Sequence, residues 1–335
     1  MLRIADLKTV ILELSSKCNA RCPFCSRLDK KRPYPPADIT YADFLRLPEE
    51  LFATLRQLSL AGNFGDFCCN ADAPCIAARA IALAPELRLM GDTNGSFQPA
   101  SWWAELGRSF ANGNSQATFA LDGLADTHAL HRKGTDFHTV LRNAEAFAAA
   151  GGVAYWKFIV FRHNEHQLDE AERIARETGF ARFYAIPSRY YDHELHPPET
   201  VAYATKWDRM DEAREALEHG GGAGPEALCK PHHKSRSIYI GADGTVLPCC
   251  FAHVQHVTEY RDEFRFMNEL LGEHLDELNM KSRPLADILA SPFFDAVLAA
   301  SRRNPFCLTK CNPAVKRIKK DVKLRDVCFF EDCPE

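Results

Sequence analysis

Apolar residues fall along this chain in two alternating rhythms. A short apolar run within residues 8–14, Thr9-Val10-Ile11-Leu12, predicts a strand. Residues 41–55 then repeat apolar positions at helical spacing (Phe44, Leu45, Leu47, Leu51, Phe52, Leu55), and Gln57-Leu58-Ser59-Leu60 reads as a second strand. The same pairing recurs down the chain: a helix over 74–84 and a strand at 87–90, then a helix over 102–110 and a strand at 117–121. A helix over 140–150, stopped by Gly151-Gly152, precedes a strand at 154–161. A helix over 168–177, closed by Gly179, precedes a sixth strand at 182–186. Six alternations predict an α/β fold with a parallel sheet and helical crossovers, whose chemistry gathers at the carboxyl ends of the strands.

The alternation stops after residue 195. A helical stretch over 204–219 ends in Gly220-Gly221-Gly222-Ala223-Gly224, which suits a linker. Three regions are therefore expected: 1–195, a helical linker over 196–225, and a smaller region over 226–335. In the last, Ser237-Ile238-Tyr239-Ile240 and Thr245-Val246-Leu247 flank Gly241-Ala242-Asp243-Gly244, a hairpin signal.

Composition adds modestly to this. With 46% hydrophobic and 26% charged residues, the 335-residue chain is an ordinary globular one, and a net charge of −4 gives no argument for a nucleic-acid or membrane partner. No charged-then-apolar leader and no run of transmembrane length is present, so the expected location is cytoplasmic. There, thirteen cysteines point to metal binding or catalysis rather than disulfides.

Directly after the first strand stands Cys18-Asn19-Ala20-Arg21-Cys22-Pro23-Phe24-Cys25. Three thiols within eight residues can grip one small iron–sulfur cluster, and a loop that supplies three leaves one iron open. A zinc knuckle or a set of buried free thiols is the bland alternative. The CxxxCxxC spacing, the aromatic Phe24 before the third Cys and the preceding strand resemble the radical S-adenosylmethionine (SAM) enzymes. The resemblance implies a partial (β/α)6 TIM-like barrel and a [4Fe–4S] cluster on Cys18, Cys22 and Cys25. SAM would sit on the open iron, with Phe24 beside its adenine. It further implies SAM contacts from the turn Ala61-Gly62-Asn63-Phe64-Gly65-Asp66, through Gly62 and Asn63, although this turn departs from the family's common Gly-Gly-Glu form. Asn94, Asp122, Arg132 and Asn164 are the remaining cofactor-binding candidates by the same resemblance. His128 and Arg132 share a helix face at i and i+4, with His128 read as a packing or hydrogen-bonding residue.

Cysteines return beyond the linker. The spacing Cys229-x14-Gly244-x4-Cys249 resembles the opening of SPASM and twitch domains, which hold auxiliary [4Fe–4S] clusters. The full two-cluster ladder is absent. The resemblance implies a Cys-rich β-hairpin/α domain with one auxiliary cluster on Cys229, Cys249, Cys307 and Cys311, and Cys250, Cys328 or Cys333 as replacements. Four thiolates also suit a structural zinc. Cys68, Cys69 and Cys75 belong to neither set and are read by default as small buried side chains; Cys68 or Cys69 is also a candidate hydrogen-atom donor to a substrate radical. Tyr190, Tyr191, Asp192 and His193 follow the sixth strand and are candidates for lining a substrate pocket. The basic run Lys316-Arg317-Ile318-Lys319-Lys320 is a solvated face or a docking site for a flavodoxin- or ferredoxin-type reductant.

The resemblance implies reductive cleavage of SAM to a 5′-deoxyadenosyl radical that takes a hydrogen atom from a substrate, with an oxidative outcome assisted by the auxiliary cluster. About seven residues precede the first strand, leaving no room there for a peptide leader-binding domain. That favours a small-molecule substrate over a peptide. A non-enzymatic electron-transfer or zinc-structured interaction protein is the reading from another class.

Overall fold

Strand runs rich in β-branched and aromatic residues, each followed by a helix with one apolar face, leave the chain few ways to bury both. A computed structural model shows the solution it adopts. It describes residues 2–28, 31–32, 34–200, 235–259, 266–271, 274–301, 307, 311 and 324–329.

The six expected strands are present: β1 Thr9–Leu12, β2 Gln57–Ser59, β3 Arg88–Thr93, β4 Gln116–Ala120, β5 Ala154–Val160 and β6 Arg182–Pro187. Neighbours in sequence pair in parallel from β1 to β6. The hairpin strands β7 Ser237–Ile240 and β8 Val246–Leu247 do not form a sheet of their own. β7 runs parallel to β1, pairing Ile11 with Tyr239 and Leu12 with Ile240. At the opposite edge β9, Arg325–Cys328, pairs antiparallel with β6. The result is one nine-stranded sheet in the order β8-β7-β1-β2-β3-β4-β5-β6-β9. The linker expected over 196–225 lies mostly outside the described residues.

One face of the strands packs on helices. Trp156, Phe158 and Val160 of β5 are fully buried there, and Phe119 of β4 meets Trp103 and Phe147 from two neighbouring helices at ring-centroid distances of 5.1 and 5.7 Å. The helix expected over 41–55 is instead two short helices, Tyr41–Phe44 and Glu49–Phe52, because Pro48 between them provides no N–H to continue the first. The alternate residues of the strands face away from the helices, into the hollow of the curved sheet, and several carry charge or hydroxyls. Lys157 of β5 reaches Asp92 of β3 (3.1 Å), and Arg88 donates to Gln116 (3.1 Å) deeper in. A parallel sheet thus presents a polar hollow on one face and a dry aromatic layer on the other.

Candidate active site

The cysteine loop leaves the carboxyl end of β1 and is pinned on several sides. Arg21 N–H donates to the Lys133 carbonyl (2.7 Å), Asn19 Nδ2 donates to Ser96 Oγ (2.8 Å), and the Arg27 guanidinium holds the Ala20 carbonyl. Phe24 takes a left-handed backbone conformation, φ +63°, which turns the chain so that Cys22 and Cys25 fall on successive sides of one bend. Its ring stays 38% exposed and lies 5.6 Å from that of Tyr190.

All three thiols are half-buried, and two receive hydrogen bonds. Asn94 Nδ2 donates to Cys18 Sγ at 3.5 Å, and Arg132 Nη1 to Cys22 Sγ at 3.8 Å. Burial, with some help from the Asp66 charge, pushes the Cys18 thiol up to about 12. Burial also raises Cys22, with Arg132 pulling the other way. Burial therefore favours the uncharged form of Cys18 and Cys22, and ligation to a metal centre must displace their protons.

The turn after β2 is built on two buried carboxylates. Glu13, just past β1 and 1% exposed, accepts the N–H of Phe64 (2.6 Å) and of Gly65 (3.0 Å) on one oxygen. Gly62 and Gly65 permit this closeness. A Cβ on Gly62 would stand 2.4 Å from Glu13 Oε1, and one on Gly65 1.9 Å from the Ser15 carbonyl oxygen. Asp66 collects the Thr93 hydroxyl (2.7 Å) and the backbone N–H groups of Cys68 (3.1 Å) and Asn94 (2.6 Å), which ties the ends of β2 and β3 together beside Cys18. Ser26 Oγ donates to the Asn63 carbonyl (3.0 Å), joining turn to loop, while Asn63 Nδ2 is turned towards the Cys250 carbonyl (3.0 Å).

Asp122, after β4, has no exposed surface and holds three partners: Ile159 N–H (2.7 Å), His131 Nδ1 (2.7 Å) and the Arg132 guanidinium. Burial works against its charge, but Arg132 and His131 overcome it and hold the carboxyl well below the usual carboxylate range. Burial pushes His128 down to about 4, so it is neutral. Its Nδ1 accepts from Asp122 N–H (3.3 Å) and its Nε2 meets Thr135 Oγ1 (2.9 Å), a hydrogen-bonding role as expected. Asn164 is fully buried, and its amide closes its own turn, accepting from Phe161 N–H (2.7 Å) and donating to the Ile159 carbonyl (3.0 Å). Its described contacts are to the protein's own loop.

The two vicinal cysteines part ways. Cys68 has no exposed surface and sits in the apolar core, which removes it from any cavity-facing role. Cys69 is half-buried beside the cysteine loop, where hydrogen bonds from Cys68 and the Asn19 backbone lower its thiol pKa. Cys75 is exposed, against the default reading of a buried side chain.

Around the second set, Cys249 precedes the helix Cys250–Thr258. Burial raises the Cys250 thiol, and Cys311 is near enough to add a smaller push in the same direction. Cys307 is buried. Cys229 and Cys333 lie outside the described residues. Cys328 is exposed on the far edge strand, in register with Arg182. Among the described residues no three His, Cys, Asp or Glu converge tightly enough for a single metal ion.

Two features of this site escape a reading by pattern. Glu13 looks like an ordinary loop acid after an apolar strand, and Lys157 interrupts a strand that is otherwise apolar. A lone charge inside such a run is the signal that was there to be read.

The family models agree with the geometry. The Radical SAM superfamily model matches residues 12–177, and the SPASM model, an iron–sulfur cluster-binding domain, matches residues 229–312. The chain belongs to the radical SAM superfamily and carries a C-terminal SPASM domain. Among solved structures it is similar to Streptococcus suis SuiB bound to precursor peptide SuiA, at 13% identity and a TM-score of 0.53, covering 88% of this chain and 67% of that one. It is also similar to anSMEcpe with bound AdoMet, at 14% identity and a TM-score of 0.50, covering 88% and 80%. The same protein with AdoMet and the Kp18Cys peptide matches at 15% identity and a TM-score of 0.50, covering 96% and 93%. These likenesses establish the fold. No curated protein sequence matches the chain.

The family's cofactors are a SAM-binding [4Fe–4S] cluster and auxiliary clusters, and the first fits the residues present. The loop offers three thiols, and donors from Asn94 and Arg132 already point at two of the sulfurs. The corners of a cuboidal cluster stand farther apart than the ligands of one ion, in keeping with thiols that do not converge on a point.

Proposed function

We propose that this chain is a radical SAM enzyme of the oxidoreductase type acting on a small molecule, with Cys18, Cys22 and Cys25 holding the SAM cluster. The observation that carries this reading is the asymmetry of the loop: three half-buried thiols, two of them receiving hydrogen bonds, and no fourth Cys within the loop itself. When bound, the cluster supplies an electron that cleaves SAM and yields a 5′-deoxyadenosyl radical able to remove a substrate hydrogen atom.

The chain's own residues do the holding and orienting. Asp66 and Glu13 fix the turn at Gly62 and Asn63, so that its backbone can approach a ligand closely. Asp122 keeps Arg132 charged and directed at Cys22, where its remaining donors suit a carboxylate. The exposed Phe24 ring, facing Tyr190, offers a surface for a flat heterocycle. Deeper in the hollow, Lys157 and the half-exposed Asp92 offer paired charges to a polar substrate group; burial works against the Lys157 charge, and Asp92 raises its pKa regardless.

The auxiliary set is proposed as Cys229, Cys249, Cys307 and Cys311, with Cys250 the favoured replacement because Cys311 is near enough to act on its thiol. This set would take or relay an electron, and a flavodoxin- or ferredoxin-type protein would supply the first one. A peptide is the second substrate class, since solved proteins of this fold bind peptides. The charged hollow favours the small molecule.

Metal analysis of anaerobically purified protein tests the cofactor set. About eight iron and eight sulfide per chain are expected for two cuboidal clusters. Zinc without iron contradicts the reading.

A further inference from the structure

The buried carboxylate under the SAM-side turn has a second face. Glu13 Oε2 accepts the hydroxyl hydrogen of Tyr239, a residue of β7 that is itself fully buried. The same hydroxyl oxygen lies 2.8 Å from Nδ1 of His253, on the helix Cys250–Thr258. Because the hydroxyl donates to Glu13, the His253 ring must donate to it, which fixes the Nδ1–H form. His253 is 2% exposed and is boxed by Phe64 from the turn (5.0 Å between ring centroids), Tyr34 (4.8 Å) and Tyr239 (5.2 Å). A second tie runs alongside, from Asn63 Nδ2 to the carbonyl of Cys250.

These contacts form one chain: the N–H groups of Phe64 and Gly65, Glu13, Tyr239, His253, and then the helix whose first residue is Cys250. The described hydrogen bonds of its three side chains run to one another and to the turn, not to the sulfurs of the cysteine loop. A fully buried carboxylate with a neutral hydroxyl and an imidazole costs desolvation, which tight mutual hydrogen bonding offsets. What such a network supplies over an apolar core is a single relative position for the two segments it joins.

We propose that Glu13, Tyr239 and His253 are positioning residues that set the SAM-binding turn against the helix carrying Cys250, so that SAM affinity depends on residues of the C-terminal segment. This rests on the reading of Gly62–Asp66 as the SAM-side turn. It adds that the auxiliary-cluster region and the SAM turn are coupled through hydrogen bonds in the protein. By reciprocity, a change at either end of the network is felt at the other.

The test is equilibrium binding of SAM to the anaerobically reconstituted full chain, with iron per chain measured on every sample. Tyr239→Phe removes only the hydroxyl from a buried space, and His253→Leu removes the ring donor together with the imidazole's aromatic contacts. Each is expected to weaken SAM binding about tenfold, the effect of one buried hydrogen bond carried into affinity, with iron content unchanged. The double variant is expected to be no weaker than either single one, since both break the same chain. His253→Asn keeps an N–H donor at the δ position and is expected to recover binding to within about threefold. SAM binding at wild-type strength in Tyr239→Phe and His253→Leu overturns the inference. So does loss of iron in step with loss of SAM, or no recovery in His253→Asn, because either marks plain structural damage. Failure of the iron-loaded wild-type protein to bind SAM overturns the underlying reading instead.

Discussion

Asp66→Asn is the sharpest perturbation of the site's framework. The carboxylate accepts three hydrogens, from Cys68 N–H and the Thr93 hydroxyl on one oxygen and from Asn94 N–H on the other. An amide retains one acceptor oxygen. Turned one way, its NH2 group faces Asn94 N–H; turned the other way, it faces Cys68 N–H. Either orientation strands one buried backbone N–H, at about 1–3 kcal/mol, and makes the surviving bonds neutral, at about 1 kcal/mol each. The expected loss is about 3 kcal/mol of unfolding free energy, read as a lower denaturant midpoint with an unchanged slope. The damage should also reach the cluster loop, because Asn94 is the donor to Cys18 and is itself placed by Asp66. SAM binding should therefore weaken in the iron-loaded variant. A loss below about 0.5 kcal/mol, within the usual range for surface substitutions, would show that this bracing has been misread.

Other outcomes follow from the same geometry. Arg132→Gln leaves Asp122 buried without its cation and is expected to cost about 3–5 kcal/mol in denaturant unfolding, with the Asp122 pKa rising. His128 gives an acid sensitivity. Its folded pKa of about 4 lies below the ordinary histidine value of 6.5, so its contribution is complete above about pH 6.5 and is lost as pH falls towards 4. Between pH 7.5 and 5.5 that amounts to about 1.4 kcal/mol, and His128→Asn should flatten the stability profile by this amount.

How much of this was legible from residues alone depends on the range of each interaction. The alternation of β1 to β6 with helices, and the loop at Cys18, are local patterns, and the sheet follows them. The place of β7 is not local. A hairpin signal at Gly241–Gly244 reports that two strands pair with each other, while the pairing of Ile11 with Tyr239 is settled only when the sheet assembles. Glu13 was opaque for the same reason, since its partners Phe64, Gly65 and Tyr239 are remote in sequence. Cys68 follows its default reading as a small buried side chain, since a short helical turn over Phe67–Cys69 carries it into the core. The loop at Asn164 met a further ambiguity, because an Asn after a strand suits both a ligand contact and a turn that closes on itself.

The central claim is that Cys18, Cys22 and Cys25 hold a cluster that cleaves SAM. The most direct measurement is 5′-deoxyadenosine formed when the anaerobically reconstituted protein is incubated with SAM and dithionite. 5′-Deoxyadenosine is expected from the wild-type chain and not from the Cys18→Ala/Cys22→Ala/Cys25→Ala variant. No 5′-deoxyadenosine from an iron-loaded wild-type chain, or equal amounts from both, would contradict that claim.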